Sequence, residues 1–183
     1  NYYHEWGDII DALRPFHCII TWVPFNEAWA QFDTEKVTEW TMAYDPTRLV
    51  NAASGGNLRL TGDIIDFHSY PGPQFPYTVP GYINVLGEYG GLGYSVADHL
   101  WWNKRNWGYA EFENSEDLTN RYVEYTQELL NFVPKGMAAT IYTQTTDCEG
   151  EVNGFVTYDR KVRKFQMERV YNANQAVVNS LDK

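Results

Sequence analysis

Apolar residues fall into short runs separated by longer stretches of mixed polarity. Residues 19–25 (IITWVPF), 48–53 (RLVNAA), 63–70 (DIIDFHSY), 83–87 (INVLG) and 137–144 (MAATIYTQ) read as strands. They are short and rich in β-branched and aromatic residues. Near-continuous apolar strands suit a parallel sheet covered on both faces. Between them lie helical patterns. Residues 6–13 read as the end of a helix ahead of the first strand. Asp33 is placed as N-cap for a helix over 34–44, which Asp45-Pro46 stops. Ser115 starts a long helix through 132, with Glu116 and Asp117 at its positive end and Pro134 and Gly136 closing it. A last helix is predicted over 161–181, with Phe165, Val170, Ala173 and Val177 near one face.

Two connections, 54–62 (SGGNLRLTG) and 71–82 (PGPQFPYTVPGY), are too rich in Gly and Pro to hold a full helix. The β/α order predicts either an open doubly wound sheet or an α/β barrel. A closed barrel of this kind has eight strands. The expectation is therefore one domain over residues 1–183, either a small open sheet or a barrel lacking its first strands.

Composition narrows the function classes. With 14 Lys and Arg against 24 Asp and Glu, the net charge is −10. Such a surface repels phosphate backbones and anionic lipids, so nucleic acid and membrane surfaces are not expected partners. No run approaches the ~18 apolar residues of a membrane span. The first residues, NYYHEWGDII, carry no basic-then-apolar leader pattern, and the sequence leaves export open. Cys18 and Cys148 lie in or beside apolar runs and are expected as buried thiols. His4, His17, His68 and His99 show no ligand spacing, so no metal or other cofactor is expected. The 7 Trp, 14 Tyr and 9 Phe suit a carbohydrate partner, whose C–H faces stack on rings, or simply an aromatic core.

Two strand ends carry the candidate chemistry. In Trp22-Val23-Pro24-Phe25-Asn26-Glu27-Ala28-Trp29 a carboxylate follows a buried strand beside an amide. In Leu86-Gly87-Glu88-Tyr89-Gly90-Gly91 a carboxylate again ends an apolar strand, and glycines follow. Strand C-terminal ends are where α/β sheets and barrels place their sites. Paired carboxylates there suit glycoside hydrolysis: one protonates the leaving oxygen and the other attacks the anomeric carbon, ~5–5.5 Å apart in a retaining enzyme. An acid must hold its proton near neutral pH. The apolar residues Trp22, Phe25 and Trp29 and the charge of Glu88 are expected to serve Glu27 in this way.

Asn26-Glu27 at one strand end and Glu88 three strands later resemble the clan of retaining (β/α)8 glycosidases. The form NEAW, with the tail Tyr142-Thr143-Gln144-Thr145-Thr146-Asp147-Cys148-Glu149-Gly150-Glu151-Val152-Asn153-Gly154, is similar to glycoside hydrolase family 2. The resemblance implies an α/β fold of the (β/α)8 TIM-barrel type, present as a partial barrel of strands four to eight. Earlier strands and β-sandwich domains would precede it. It implies Glu27 as general acid/base and Glu88 as nucleophile. Asn26 would bind the sugar 2-hydroxyl, or merely cap a turn. Trp29 would line the sugar site. His68 and Tyr70, two apart and so on one strand face, would line a subsite and bond the nucleophile, or be satisfied core residues. Gln144 and Asp147 would contact sugar hydroxyls or structure their loop.

Glucuronide-cleaving members carry Asn-x-Lys after the last strand. Here Phe155 stands two residues after Asn153, which weakens the glucuronidase reading and leaves a neutral sugar such as a β-galactoside; a β-glucuronidase or β-mannosidase of the same family is the alternative. The competing readings are a catalytically silent carbohydrate-binding domain on the same scaffold, which needs neither glutamate, and an α/β enzyme using metal or phosphate. The segment 87–93 lacks the Lys-Ser/Thr ending of a phosphate loop. An open partial barrel would also leave strand edges able to pair with a second copy, predicting a homo-oligomer with little activity of its own.

Overall fold

The computed structural model describes every residue except Trp29, Leu58 and Lys183, and sets aside the side chain of Asp182. In chain order the helices are α1 (Tyr2–Leu13), α2 (Thr34–Tyr44), α3 (Ser115–Leu129) and α4 (Met167–Val178). The strands are β1 (Thr21–Trp22), β2 (Leu49–Val50), β3 (Ile64–Ser69), β4 (Ile83–Gly90), β5 (Leu92–Tyr94), β6 (Ala110–Phe112) and β7 (Met137–Thr143). The chain folds as two compact units, Asn1–His68 with Val79–Gly87, and Ser69–Thr78 with Glu88–Lys183.

In the first unit β1 and β2 pair in parallel, Thr21 opposite Leu49 and Trp22 opposite Val50. Ile10, Trp22 and Val50 form a buried cluster under Trp6, Ile19 and Trp40, and a second cluster joins Phe25, Val37 and Ala53 to Tyr2. Each such large side chain removed from water is worth ~1.5–3 kcal/mol. The Trp22 indole donates to Asp45 Oδ2 at 2.9 Å, so the residue that ends α2 also satisfies the one polar atom of a core ring. Asn84 replaces helical structure in the Pro-rich connection. Its Oδ1 accepts from the Val79 amide at 2.7 Å and its Nδ2 donates to the Val79 and Tyr82 carbonyls.

In the second unit β5 and β6 run parallel, with Leu92 opposite Ala110 and Tyr94 opposite Phe112. Helix α3 buries Leu118, Tyr122, Tyr125 and Leu129 and packs on α4. Tyr122, Tyr142, Phe155 and Phe165 meet mostly edge-to-face, with ring centroids 4.7–6.0 Å apart. These rings form core, whereas Tyr77, Trp101, Trp102, Trp107, Tyr109 and Tyr171 of the same unit are exposed. No sheet closes on itself among the described residues.

Several expectations are corrected. The strands expected over 19–25 and 48–53 shrink to two residues each, because loop contacts and single bridges replace regular pairing beyond them. Asp33 sits before α2 in a left-handed conformation (φ 42°) with no side-chain cap bond. Asn114, not Ser115, caps α3: its side chain accepts from the Asp117 amide at 2.9 Å. The last helix begins only at Met167; residues 161–166 form no helix, and Lys164 among them is buried. Both cysteines are exposed. Cys18 lies in the turns ahead of β1. Cys148 opens a tight turn in which its amide and carbonyl bond Glu151 at 3.1 and 2.9 Å. Strands β5 and β6 were not expected; at three residues each they are too short to leave a periodic signal.

Candidate active site

Glu27 and His68 belong to the first unit, and Tyr70 and Glu88 to the second.

Glu27 follows β1 where the chain turns. Its amide donates to the Ser54 carbonyl at 2.6 Å, and Asn26, itself exposed, bridges Ser54 in parallel. The Gln31 amide donates to the Glu27 carbonyl (2.6 Å) and the Gly56 carbonyl (2.7 Å). This clamp holds Glu27 at φ 53°, a left-handed conformation costing a non-glycine residue roughly 1–3 kcal/mol and found most often at functional sites. The carboxylate is half-exposed, with Oε1 3.2 Å from His68 Nδ1.

His68 is deeply held. Its Nε2 lies 2.8 Å from Ser54 Oγ, and Ser54 donates to Asp66 Oδ2 at 2.9 Å. Asp66 Oδ2 also accepts from Asn51 Nδ2 (2.7 Å), and its Oδ1 accepts from the Gly87 amide (2.8 Å). Burial pushes the Asp66 carboxyl above its ordinary range, against the pull of the Ser54, Asn51 and Gly87 donors and of His68. Gly55 allows this assembly. It sits at φ 66°, and a Cβ there would stand 2.3 Å from the His68 ring.

In the second unit the Tyr70 hydroxyl donates to Glu88 Oε2 in a very short bond, and lies 2.7 Å from Thr143 Oγ1 at the end of β7. The Tyr70 ring stacks on Tyr109, centroids 3.8 Å apart and planes within 9°. Burial, then the bond to Glu88, raises the Tyr70 phenol far above its ordinary range, so it stays a donor. Gly90 follows at φ 91°, where a Cβ would meet the Tyr142 ring at 2.3 Å.

The β7 loop divides its expected residues. Gln144 Nε2 donates to Glu151 Oε2 (2.9 Å) and Asn153 Oδ1 (2.8 Å). Burial raises the Glu151 carboxyl, and the charge of Glu88 raises it further, against its Asn153 and Gln144 bonds. Asp147 is buried instead: its Oδ1 accepts from Lys164 Nζ (2.6 Å) and the Gly154 amide (2.8 Å). That is the loop-structuring alternative. Trp29 lies outside the described residues. Trp22 and Phe25 are spent on the two core clusters, and the described partner of the carboxyl group is an imidazole.

Sequence reasoning missed Asp66, Ser54, Thr143 and Glu151. The signal for Asp66 was present: Asp66, His68 and Tyr70 alternate, as residues on one strand face do. Ser54 had none, since it lies in a Gly-rich loop that local pattern cannot orient.

No protein-family model and no curated protein sequence matches the chain. Solved structures do. An exo-β-agarase matches over 80% of this chain and 22% of its own length, with TM-score 0.58 and 15% identity. A candidate β-galactosidase from Bacteroides fragilis matches over 87% and 28%, with TM-score 0.54 and 16% identity. An FMN-binding β-glucuronidase from Facaelibacterium prausnitzii L2-6 matches over 80% and 27%, with TM-score 0.50 and 19% identity. The structural neighbours are glycoside hydrolases, and the likeness at this identity is one of fold. The chain spans 22–28% of the length of these structures.

Proposed function

We propose that this chain carries the catalytic glutamates of a retaining β-glycosidase, with Glu27 as general acid/base and Glu88 as nucleophile. The observation that supports it most is a partner on each carboxylate: the His68 imidazole beside Glu27, and the Tyr70 hydroxyl on Glu88. A hydroxyl donor on Glu88 keeps one of its oxygens oriented, as an attacking carboxylate needs. An imidazole beside Glu27 suits a group that must give up and regain a proton. A carbohydrate-binding domain needs neither arrangement. The substrate we favour is a neutral β-glycoside of the galactoside type, since Phe155 stands where a glucuronide-binding lysine is expected. The accompanying fold reading is strands four to eight of a (β/α)8 barrel of glycoside hydrolase family 2. It is supported by the parallel pairing of β1 with β2 and of β5 with β6.

Retention is tested by following a nitrophenyl β-galactoside with the protein in its native polypeptide. Proton NMR should show the β-sugar forming first and mutarotating later. First appearance of the α-sugar would mean inversion.

The 183-residue chain by itself is expected to self-associate and to turn over little substrate. Its sheets are open, and β7 exposes Ile141 at 61%. Open edges invite pairing with a second copy. Light scattering on the purified chain, with a β-galactoside assay alongside, checks this. A compact monomer of ordinary enzymatic rate would be inconsistent with a partial barrel.

A further inference from the structure

The geometry points to Asp66, Ser54 and His68 as a proton relay that positions the proton of Glu27. The proposal rests on reading Glu27 as the acid/base. The chain of contacts is continuous: Glu27 Oε1 to His68 Nδ1 at 3.2 Å, His68 Nε2 to Ser54 Oγ at 2.8 Å, and Ser54 Oγ to Asp66 Oδ2 at 2.9 Å. Its inner members are shielded, the side chains of Asp66 and His68 being 3% and 9% exposed against 43% for Glu27. Within the first unit the titratable groups facing the imidazole are Glu27 and Asp66, whose Oδ1 lies 4.0 Å from Nε2.

Donor and acceptor capacity fixes how hydrogens can be arranged. Asn51 Nδ2 and the Gly87 amide can only donate, so they favour an ionised Asp66. Ser54 has one hydrogen. While Asp66 is ionised, Ser54 donates it to Asp66 and must accept from His68 Nε2–H. A neutral ring then turns its Nδ1 lone pair to Glu27, and the proton between them rests on Glu27 as a carboxylic acid. That is the state a general acid needs. In the second arrangement Asp66 holds a proton and donates to Ser54, Ser54 donates to Nε2, and Nδ1–H donates to an ionised Glu27. Passing from the second to the first, each of three protons moves by one bond. Nδ1–H goes to Glu27, the Ser54 hydrogen to Nε2 and the Asp66 proton to Ser54. One negative charge moves from Glu27 to Asp66, and nothing is gained or lost. The desolvation that raises the Asp66 carboxyl brings the second arrangement within reach. The network thus carries one transferable proton, on Glu27 in the first arrangement and on Asp66 in the second; once Glu27 has given it to a leaving group, the proton taken from the attacking water restores it.

The test uses the chain itself and no substrate, so its failure leaves the glycosidase reading to the product stereochemistry. Nitrogen-labelled histidine is followed by long-range proton–nitrogen correlation in wild type, Asp66→Asn and Ser54→Ala. In wild type at a pH where Asp66 is ionised, His68 Nε2 is expected to carry a hydrogen. In Asp66→Asn the new amide donates to Ser54, which turns its hydrogen to the ring, so Nε2 loses its hydrogen and the Nε2 resonance moves to the unprotonated range. In Ser54→Ala the preference between the two nitrogens weakens to a mixture. A wild-type ring without hydrogen on Nε2 overturns the relay, with no variant required. So does a ring whose hydrogen stays on Nε2 in Asp66→Asn. Should that variant not fold, an unchanged tautomer in Ser54→Ala overturns it equally.

Discussion

Replacing Glu88 with Ala in the native polypeptide is expected to lower hydrolysis by about four orders of magnitude or more, since no covalent intermediate can form without the nucleophile. Stereochemistry then separates the two glutamates. With Glu27→Gly, the intermediate still forms on Glu88 from substrates with good leaving groups. Azide then attacks it from the face water would use and yields the β-glycosyl azide. With Glu88→Gly, azide occupies the space of the lost carboxylate and attacks the β-glycoside directly while Glu27 protonates the leaving oxygen, yielding the α-azide. Product NMR reads the anomer. The reverse assignment would exchange the roles of Glu27 and Glu88. Hydrolysis undiminished in both variants would remove the glycosidase reading altogether. The Tyr70 hydroxyl orients Glu88 in either case, so the loss in Glu88→Ala is expected in turnover more than in substrate binding.

The largest effect on stability is expected at Lys164. Its side chain is fully buried, and its three hydrogens go to Asp147 Oδ1 (2.6 Å), the Val152 carbonyl (2.7 Å) and the Tyr94 carbonyl (3.0 Å). Burial lowers the Lys164 ammonium and raises the Asp147 carboxyl from their ordinary values, and each partner opposes the shift of the other. Lys164→Met leaves a buried carboxylate without its cation and two carbonyls without a donor. The cost is about 3–5 kcal/mol, read by urea unfolding. The sign of the pH dependence follows. Without Lys164 the folded pKa of Asp147 stands further above its unfolded value of about 3.9. The folded state then binds the extra proton between the two values, so this carboxyl's stability is present at acid pH and lost as pH rises through the folded pKa. The deficit of Lys164→Met should therefore shrink as pH falls. Adding Asp147→Asn should recover part of it at neutral pH, because an amide can stay buried without a charge. A deficit independent of pH, or additive effects of the two substitutions, would show that the pair is not electrostatically coupled.

The sequence by itself determined where the strands and helices lie along much of the chain, and it marked both strand-end glutamates. Helix 34–44 was legible because its polar start and Asp45-Pro46 stop are local, and Ile64–Ser69 because its apolar residues bracket the run that pairs. His68 and Tyr70 were legible as a pair because strand geometry alone places alternate residues on one face. Other features were decided only by tertiary structure, since they depend on residues distant in the chain. Lys164 looked like part of a helix, and nothing near it in sequence foretold that Tyr94 and Val152 would supply carbonyls and Asp147 a charge. Asp147 looked available to a sugar until that lysine occupied it. Trp22 and Phe25 looked like a wall for Glu27, but packing from α1 and α2 draws both into the core. Ser54 carries no local pattern at all. It becomes a link between Asp66 and His68 because Gly55 lets the imidazole approach to where any side chain would collide, a contact across 13 residues that only folding creates.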